Sequence, residues 1–296
     1  MDIINYELQL SLLLILMLFF SSAHAEQASL SIRKDDLMVK TLTVKQFRQL
    51  QSDLTSLTVD NPTDSKVHVY QGILLKTLLT RFFGKDWQQF DALKFSSQDG
   101  YQPIIPIANV MAHTGMIAIT EKGQQSLSHL PRINGETVNP APFFLIWENI
   151  NDAPARTDEW LSWPWQLTDI ELTHFAREYP NSAPPATADE KVTQGFLAFR
   201  QHCMKCHAIN GDGGEMAPEL NYPVNVTEYW QPQWLARFID DPQSVRANSK
   251  MIAFYRDVEN RAALIETIIA YLKRMKNKKI TAAPKAVMET KGSSSD

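Results

Sequence analysis

The sequence predicts two domains in series, an N-terminal α+β domain rich in strands and a C-terminal domain built only of helices. Three observations predict it. The chain has 296 residues, room for two domains at roughly 150 residues each. Residues 179–188 include Pro180, Ser182, Ala183, Pro184, Pro185, Ala186 and Thr187, the composition of a linker. Before that segment the apolar residues fall in short strand-like runs between turn signals, and after it they recur at helical spacing.

The N-terminus comes first. Residues 8–20 are an almost unbroken apolar run, followed by small residues that end in Ala23-His24-Ala25. That length and ending describe a secretory signal, and the run is short for a membrane span. Cleavage is expected after Ala25. The run is preceded by Asp2 and Glu7 and by no Lys or Arg, which leaves an uncleaved anchor open. Export is expected either way, and no membrane span remains once the signal is removed.

Residues 26–178 form the expected sheet-rich domain. A strand is read over 66–70, then a helix over 74–83 closed by Gly84 at the position where a left-handed residue ends helices. Runs at 93–95 and 101–105 flank Gln98-Asp99-Gly100, a hairpin signal. Further strands are read at 116–120, 143–147 and 167–172. The aromatics Phe143, Phe144, Trp147, Trp163 and Trp165 are read as core or sheet cover. Beyond the linker, residues 189–276 carry three helical patterns. The first covers 189–201 and runs into the cysteines, the second covers 233–239 and stops before Pro242. The third covers 260–275, with Leu264, Ile268 and Leu272 on one stripe. Residues 277–296 are polar and are expected to be a disordered tail.

The net charge of −4 and the absence of a large basic stretch exclude nucleic acid as an expected partner. Lys273, Arg274, Lys276, Lys278 and Lys279 suit the negative end of the last helix. A docking patch for an acidic partner stays open for them.

The chain has two cysteines, Cys203 and Cys206, so a disulfide framework is excluded. They stand in Cys203-Met204-Lys205-Cys206-His207, the attachment pattern of haem c. Each thiol can add across one vinyl group, and the adjacent imidazole is then brought under the iron. Two other readings compete with it. A zinc site needs further ligands, and only His202 is near. A thioredoxin-like pair follows a strand, whereas a helix precedes this one. His202 itself is read as an exposed helix residue. His68, His113, His129 and His174 lack metal-ligand spacing and are read as structural or surface residues.

Around that motif the C-terminal part resembles the class I (monohaem) cytochrome c family. Gly195 and Phe199 precede Cys203 by eight and four residues. Asn210-Gly211-Asp212-Gly213-Gly214 follows, then Ala217-Pro218-Glu219-Leu220, the 234–242 segment ending in Asp240-Asp241-Pro242, the 248–254 segment, and a final helix with Tyr271-Leu272. The resemblance implies one covalently bound haem c, held by Cys203 and Cys206, with His207 and a methionine as axial iron ligands. It places the methionine at Met251; Met216, nine residues after His207, is the less favoured candidate. It also implies that the Pro218 carbonyl accepts a hydrogen bond from the His207 ring. The family has proline after this methionine, and Ile252 stands there instead.

The first domain is similar in places to the sulfite-oxidase-like molybdopterin-binding fold. The residues that carry this are Gly72-Ile73-Leu74-Leu75, Ser97-Gln98-Asp99-Gly100-Tyr101, Ile104-Ile105-Pro106, the 142–147 run and the 163–171 segment from Trp163 to Glu171. That family holds its metal through a cysteine sulfur, and this domain has no cysteine. No molybdopterin is therefore expected, and the domain is read as a scaffold or docking module. The resulting expectation is a periplasmic carrier of single electrons, without catalytic residues, that serves redox partner proteins such as a periplasmic dehydrogenase or a terminal oxidase. The alternative is a haem- or molybdenum-dependent oxidoreductase subunit with catalytic activity of its own.

Overall fold

A computed structural model describes residues 28–131, 135–254 and 258–280. The expected signal segment, residues 1–25, lies outside the described residues, as does the expected tail 277–296 apart from residues 277–280. Among the described residues no helix is long and apolar enough to cross a membrane. The chain divides into two compact units. Among the described residues, one comprises the chain up to Asp99 together with Pro103–His174, the other Gly100–Gln102 with the chain from Phe175 onward.

The first unit holds two larger sheets. One has the order β2-β1-β11-β5-β6, from β1 (Ser29–Lys34), β2 (Leu37–Thr43), β5 (Ala92–Ser97), β6 (Ile104–Pro106) and β11 (Leu167–Thr173). Its β1–β11 pair is parallel, with Ser31 opposite Asp169, and its other pairs are antiparallel. The second has the order β10-β7-β4-β3, from β3 (Leu54–Asn61), β4 (Lys66–Leu74), β7 (Gly115–Glu121) and β10 (Phe144–Trp147), all antiparallel. A short ladder joins β8 (Leu130–Pro131) to β9 (Thr137–Val138). The helices are α1 (Val44–Arg48), α2 (Leu75–Phe83) and α3 (Ile107–Ala112). Gly84 ends α2 with φ of 66°.

Strands β7 and β10 of the second sheet are buried on both faces, alternate residues pointing to opposite sides. Ile117 and Ile119 of β7 join Leu145 and Trp147 of β10 in one apolar cluster. Their neighbours Met116, Ala118, Phe144 and Ile146 join a second. The first cluster also takes Leu30, Ile32, Phe95 and Ile170 from the other sheet, so it is the core between the two. At the bulge in β4 a Cβ on Gly72 would lie 2.0 Å from the Ile117 carbonyl oxygen. Only glycine permits that approach.

The expectation of a C-terminal domain built only of helices is corrected. The chain is mixed, with several sheets and mostly short helices, and the second unit has a ladder of its own. Its helices are α4 (Phe175–Glu178), α5 (Glu190–His202), α6 (Val226–Tyr229), α7 (Pro232–Asp240), α8 (Pro242–Val245) and α9 (Arg261–Met275). Of these, only α5 and α9 exceed nine residues. Immediately after His207, β12 (Ala208–Ile209) pairs with β13 (Asp212–Gly213). The physical reason is Asn210-Gly211 between them, with φ of 55° and 83°. Two successive positive φ values make the tight turn that closes a hairpin.

Asn181, Ser182 and Ala183, in the segment 179–188, are bonded within the second unit. The Asp212 carboxylate accepts the backbone N–H groups of Asn181 and Ser182, both at 2.7 Å. Lys278 Nζ donates to the Ala183 carbonyl, and the Lys278 carbonyl accepts from Asn210 Nδ2, both at 2.8 Å. Lys279 pairs with Glu228 at 2.6 Å. These two lysines are thereby used inside the unit.

Candidate functional site

The site begins with how α5 delivers the cysteines. Asp189 caps the helix by accepting the Val192 N–H at 2.8 Å, satisfying one of the free donors of the first turn. One face of α5 packs on α9. Gly195 lies so close that a Cβ there would sit 1.9 Å from the Thr267 carbonyl oxygen. One turn on, buried Phe199 meets the Tyr271 ring at 5.3 Å. The helix ends at His202, and Cys203 closes it with its N–H on the Phe199 carbonyl at 2.8 Å.

The motif then winds into a single tight turn. Cys206 and His207 both donate their backbone N–H to the Cys203 carbonyl, at 3.0 and 2.9 Å. The next segment folds back over it. Gly214 N–H donates to the Met204 carbonyl at 2.7 Å, and Ala217 N–H to the Cys206 carbonyl at 2.9 Å. Gly213, with φ of 117°, lies where a Cβ would meet the His207 carbonyl oxygen at 2.4 Å. Gly100–Gln102 joins this region through Gly100 O, which accepts from Glu215, and the Gln102 N–H, which donates to Lys205 O.

His207 Nδ1 lies 2.7 Å from the Pro218 carbonyl oxygen. A carbonyl only accepts, so Nδ1 carries the proton and Nε2 keeps its lone pair. Burial lowers the His207 pKa and so favours the neutral ring, against the opposing effect of the Pro218 bond and the Glu219 charge. Burial, with the Cys206 charge adding, pushes the Cys203 thiol up to about 12, against Lys205. A poised redox thiol has the opposite shift. Among the described residues no group of three or more His, Cys, Asp or Glu is placed to hold a metal ion.

Haem c needs two thiols on one turn and a neutral imidazole beside them, with its far nitrogen free. Cys203, Cys206 and His207 fit that need, and the Pro218 carbonyl fixes the imidazole tautomer. A short stretch of the chain has a known counterpart. Over 90 residues it is 29% identical to a subunit of nitric oxide reductase from Cereibacter sphaeroides, a stretch that is 30% of this chain and 53% of that protein. The chain thus spans about half the length of the curated relative it matches. No family model matches it.

Cys203, Cys206, His207 and Pro218 are brought together by these bonds. Met251 is half-buried in a separate loop, its N–H on Ser249 Oγ at 3.2 Å. That loop is anchored by Phe254, whose N–H donates to the Asp240 carbonyl at 3.3 Å. The Phe254 ring lies 4.9 Å from the ring of His202, the residue before Cys203. His202 is therefore half-buried, not exposed as its sequence position suggests, and burial, with the Lys205 charge adding, lowers its pKa to about 4. Its distance along the chain from Phe254 carries no signal of the contact. Met216 is exposed and adjoins Ala217, which is pinned to the Cys206 carbonyl.

A chain of buried asparagines has no counterpart among the sequence expectations. Asn221 Nδ2 donates to Asn210 Oδ1 at 2.8 Å, and Asn225 Nδ2 donates to Asn221 Oδ1 at 2.7 Å and to the Leu272 carbonyl at 2.9 Å. This chain ties the loop after His207 to α9. Polar residues at irregular spacing have no periodicity to betray them.

Proposed function

We propose that the protein carries single electrons through one haem c, which Cys203 and Cys206 would hold covalently and whose iron His207 and Met251 would ligate. The observation that carries this reading is the His207 Nδ1 to Pro218 O bond of 2.7 Å beside two thiols on one turn. When bound, the haem would supply the one-electron couple of its iron. The protein's part is to set that couple through ligand identity, hydrogen bonding and burial.

Within that division His207 offers Nε2 as a neutral donor, and the Pro218 carbonyl raises its basicity by drawing on the Nδ1 proton. The Met251 thioether is a soft donor that favours the reduced iron relative to a second imidazole. Met251 is preferred to Met216 because the Met216 segment is pinned to the Cys206 carbonyl and continues into Pro218, which is bonded to His207 itself. The chain is read as exported to a periplasm, with the apolar run 8–20 as its signal. Its first unit is read as a scaffold that bears no molybdopterin. The similarity to a reductase subunit favours a carrier that hands electrons to a partner oxidoreductase over one that does its own chemistry.

The test is production in a host that exports and ligates haem. The expected product is coloured, resists thiol alkylation, and shows in its oxidised form the long-wavelength band of an iron–methionine bond, lost in Met251→Ala. Colourless protein with both thiols open to alkylation would overturn the reading. Retention of the band in Met251→Ala would overturn the ligand assignment.

A further inference from the structure

Four backbone N–H groups converge on one carboxylate. Glu219 Oε1 accepts from Asn210 at 3.0 Å, Asn221 at 2.8 Å and Tyr222 at 3.2 Å, and Oε2 accepts from Gly211 at 3.1 Å. Asn210 and Gly211 form the turn of the hairpin that continues directly from His207. Asn221 and Tyr222 lie just beyond Glu219 itself. The neighbouring Leu220 N–H donates to the Ala208 carbonyl at 3.0 Å. One side chain thus fastens the segment that bears Pro218 to the segment that bears His207, and Pro218 is its immediate neighbour.

Such a clamp needs a carboxylate. Two oxygens with four lone-pair sites can serve four donors, whereas an amide would present its NH₂ group to N–H groups that also donate. Charge-assisted bonds to backbone N–H groups are also the stronger kind.

We infer that Glu219 is a positioning residue that holds the Pro218 carbonyl on His207 Nδ1 and thereby sets the donor strength of that imidazole. The inference rests on the haem reading above. A firm Nδ1–H···O=C bond makes the ring a stronger donor, which favours oxidised iron and lowers the reduction potential. A loosened carbonyl reverses this.

The experiment compares haem-loaded wild type, Glu219→Gln and Glu219→Asp. Covalent haem content is measured first, then the reduction potential by redox titration, and the exchange of the His207 Nδ1 proton by NMR. Glu219→Asp keeps the charge but is one methylene too short to reach all four donors. Both variants are expected to retain haem, to show a raised potential, and to exchange the Nδ1 proton several-fold faster. A raised potential in Glu219→Gln alone, with Glu219→Asp matching wild type in potential and exchange, would reduce Glu219 to a fixed charge and overturn the positioning role. Unchanged potential and exchange in both would overturn it as well. Absence of covalent haem in the wild type is a separate result, and it would remove the functional reading together with the inference.

Discussion

Adding one methyl group at Gly195 tests the packing that delivers the cysteines. The alanine Cβ would lie 1.9 Å from the Thr267 carbonyl oxygen and 2.6 Å from its carbon. Both are backbone atoms inside α9, so no rotamer change relieves the contact. Ordinary contact starts near 3.4 Å, so α5 and α9 must part by about 1.5 Å, a gap that forfeits much of the dispersion energy of the facing surfaces. Phe199, Ile268 and Tyr271 are buried and bear that loss. Overpacking of a tight contact costs up to about 3 kcal/mol, and the better helix propensity of alanine returns about 1 kcal/mol. The net is about 2 kcal/mol, which lowers the melting temperature of the second unit by about 10 °C. Thermal unfolding of Gly195→Ala followed by far-ultraviolet circular dichroism reads this directly. The neighbouring control, Gln194→Ala, removes an exposed side chain bonded to Glu190 and is expected to stay within about 0.5 kcal/mol of wild type. A Gly195→Ala protein as stable as wild type would refute the close approach.

Three other perturbations have defined outcomes. Asn225→Ala removes the cap that accepts the Thr227 N–H, leaves buried Asn221 Oδ1 without its donor and takes from Leu272 O one of its two donors, the other being the Lys276 N–H, so urea denaturation is expected to show a loss of about 2–3 kcal/mol. Asn225→Asp keeps the cap but sets an anion against those two acceptors; it is expected to be at least as damaging at neutral pH, and a stability equal to wild type would contradict the bonding pattern. Tyr271→Phe leaves the buried Ser182 carbonyl without the 2.8 Å bond it receives and is expected to cost about 1–2 kcal/mol with an unaltered circular dichroism spectrum. In the first unit, burial opposes charge on His68, yet the hydrogen bonds and charges of Glu121 and Asp64 outweigh it and raise its pKa. A raised histidine pKa stabilises the fold fully below the ordinary value of 6.5, and that contribution fades as pH rises through the raised value. The stability advantage of wild type over His68→Gln is therefore expected to be full below pH 6.5 and to shrink as pH rises above it; a pH-independent difference would refute it.

What is legible in the sequence is local, and what is not is a matter of distant partners. The helix over Leu75–Phe83 is legible because its spacing and Gly84 are contained in ten residues. The strands Gly115–Glu121 and Phe144–Trp147 are legible as apolar runs. Ser29–Lys34 also alternates, with Leu30 and Ile32 buried, but its parallel partner lies at Ser31 opposite Asp169, and no local pattern names a partner so far along the chain. The all-helical expectation fails at Asn210-Gly211, where a hairpin turn signal stands in plain view. The longer pattern around the haem motif contains that dipeptide and hides its own meaning.

The candidate site divides in the same way. Cys203, Cys206 and His207 are contiguous, so a motif can find them. Glu219 cannot be found that way, because its role depends on donors at 210, 211, 221 and 222 that only the fold brings to one carboxylate. Of the residues proposed to bond the cofactor, Cys203, Cys206 and His207 are written in the motif, while the groups that hold His207 in place are chosen by the turn geometry around it. A substitution series restricted to the motif would therefore test whether a haem is bound, and a series through the loop from Asn210 through Tyr222 would test how the His207 imidazole is held.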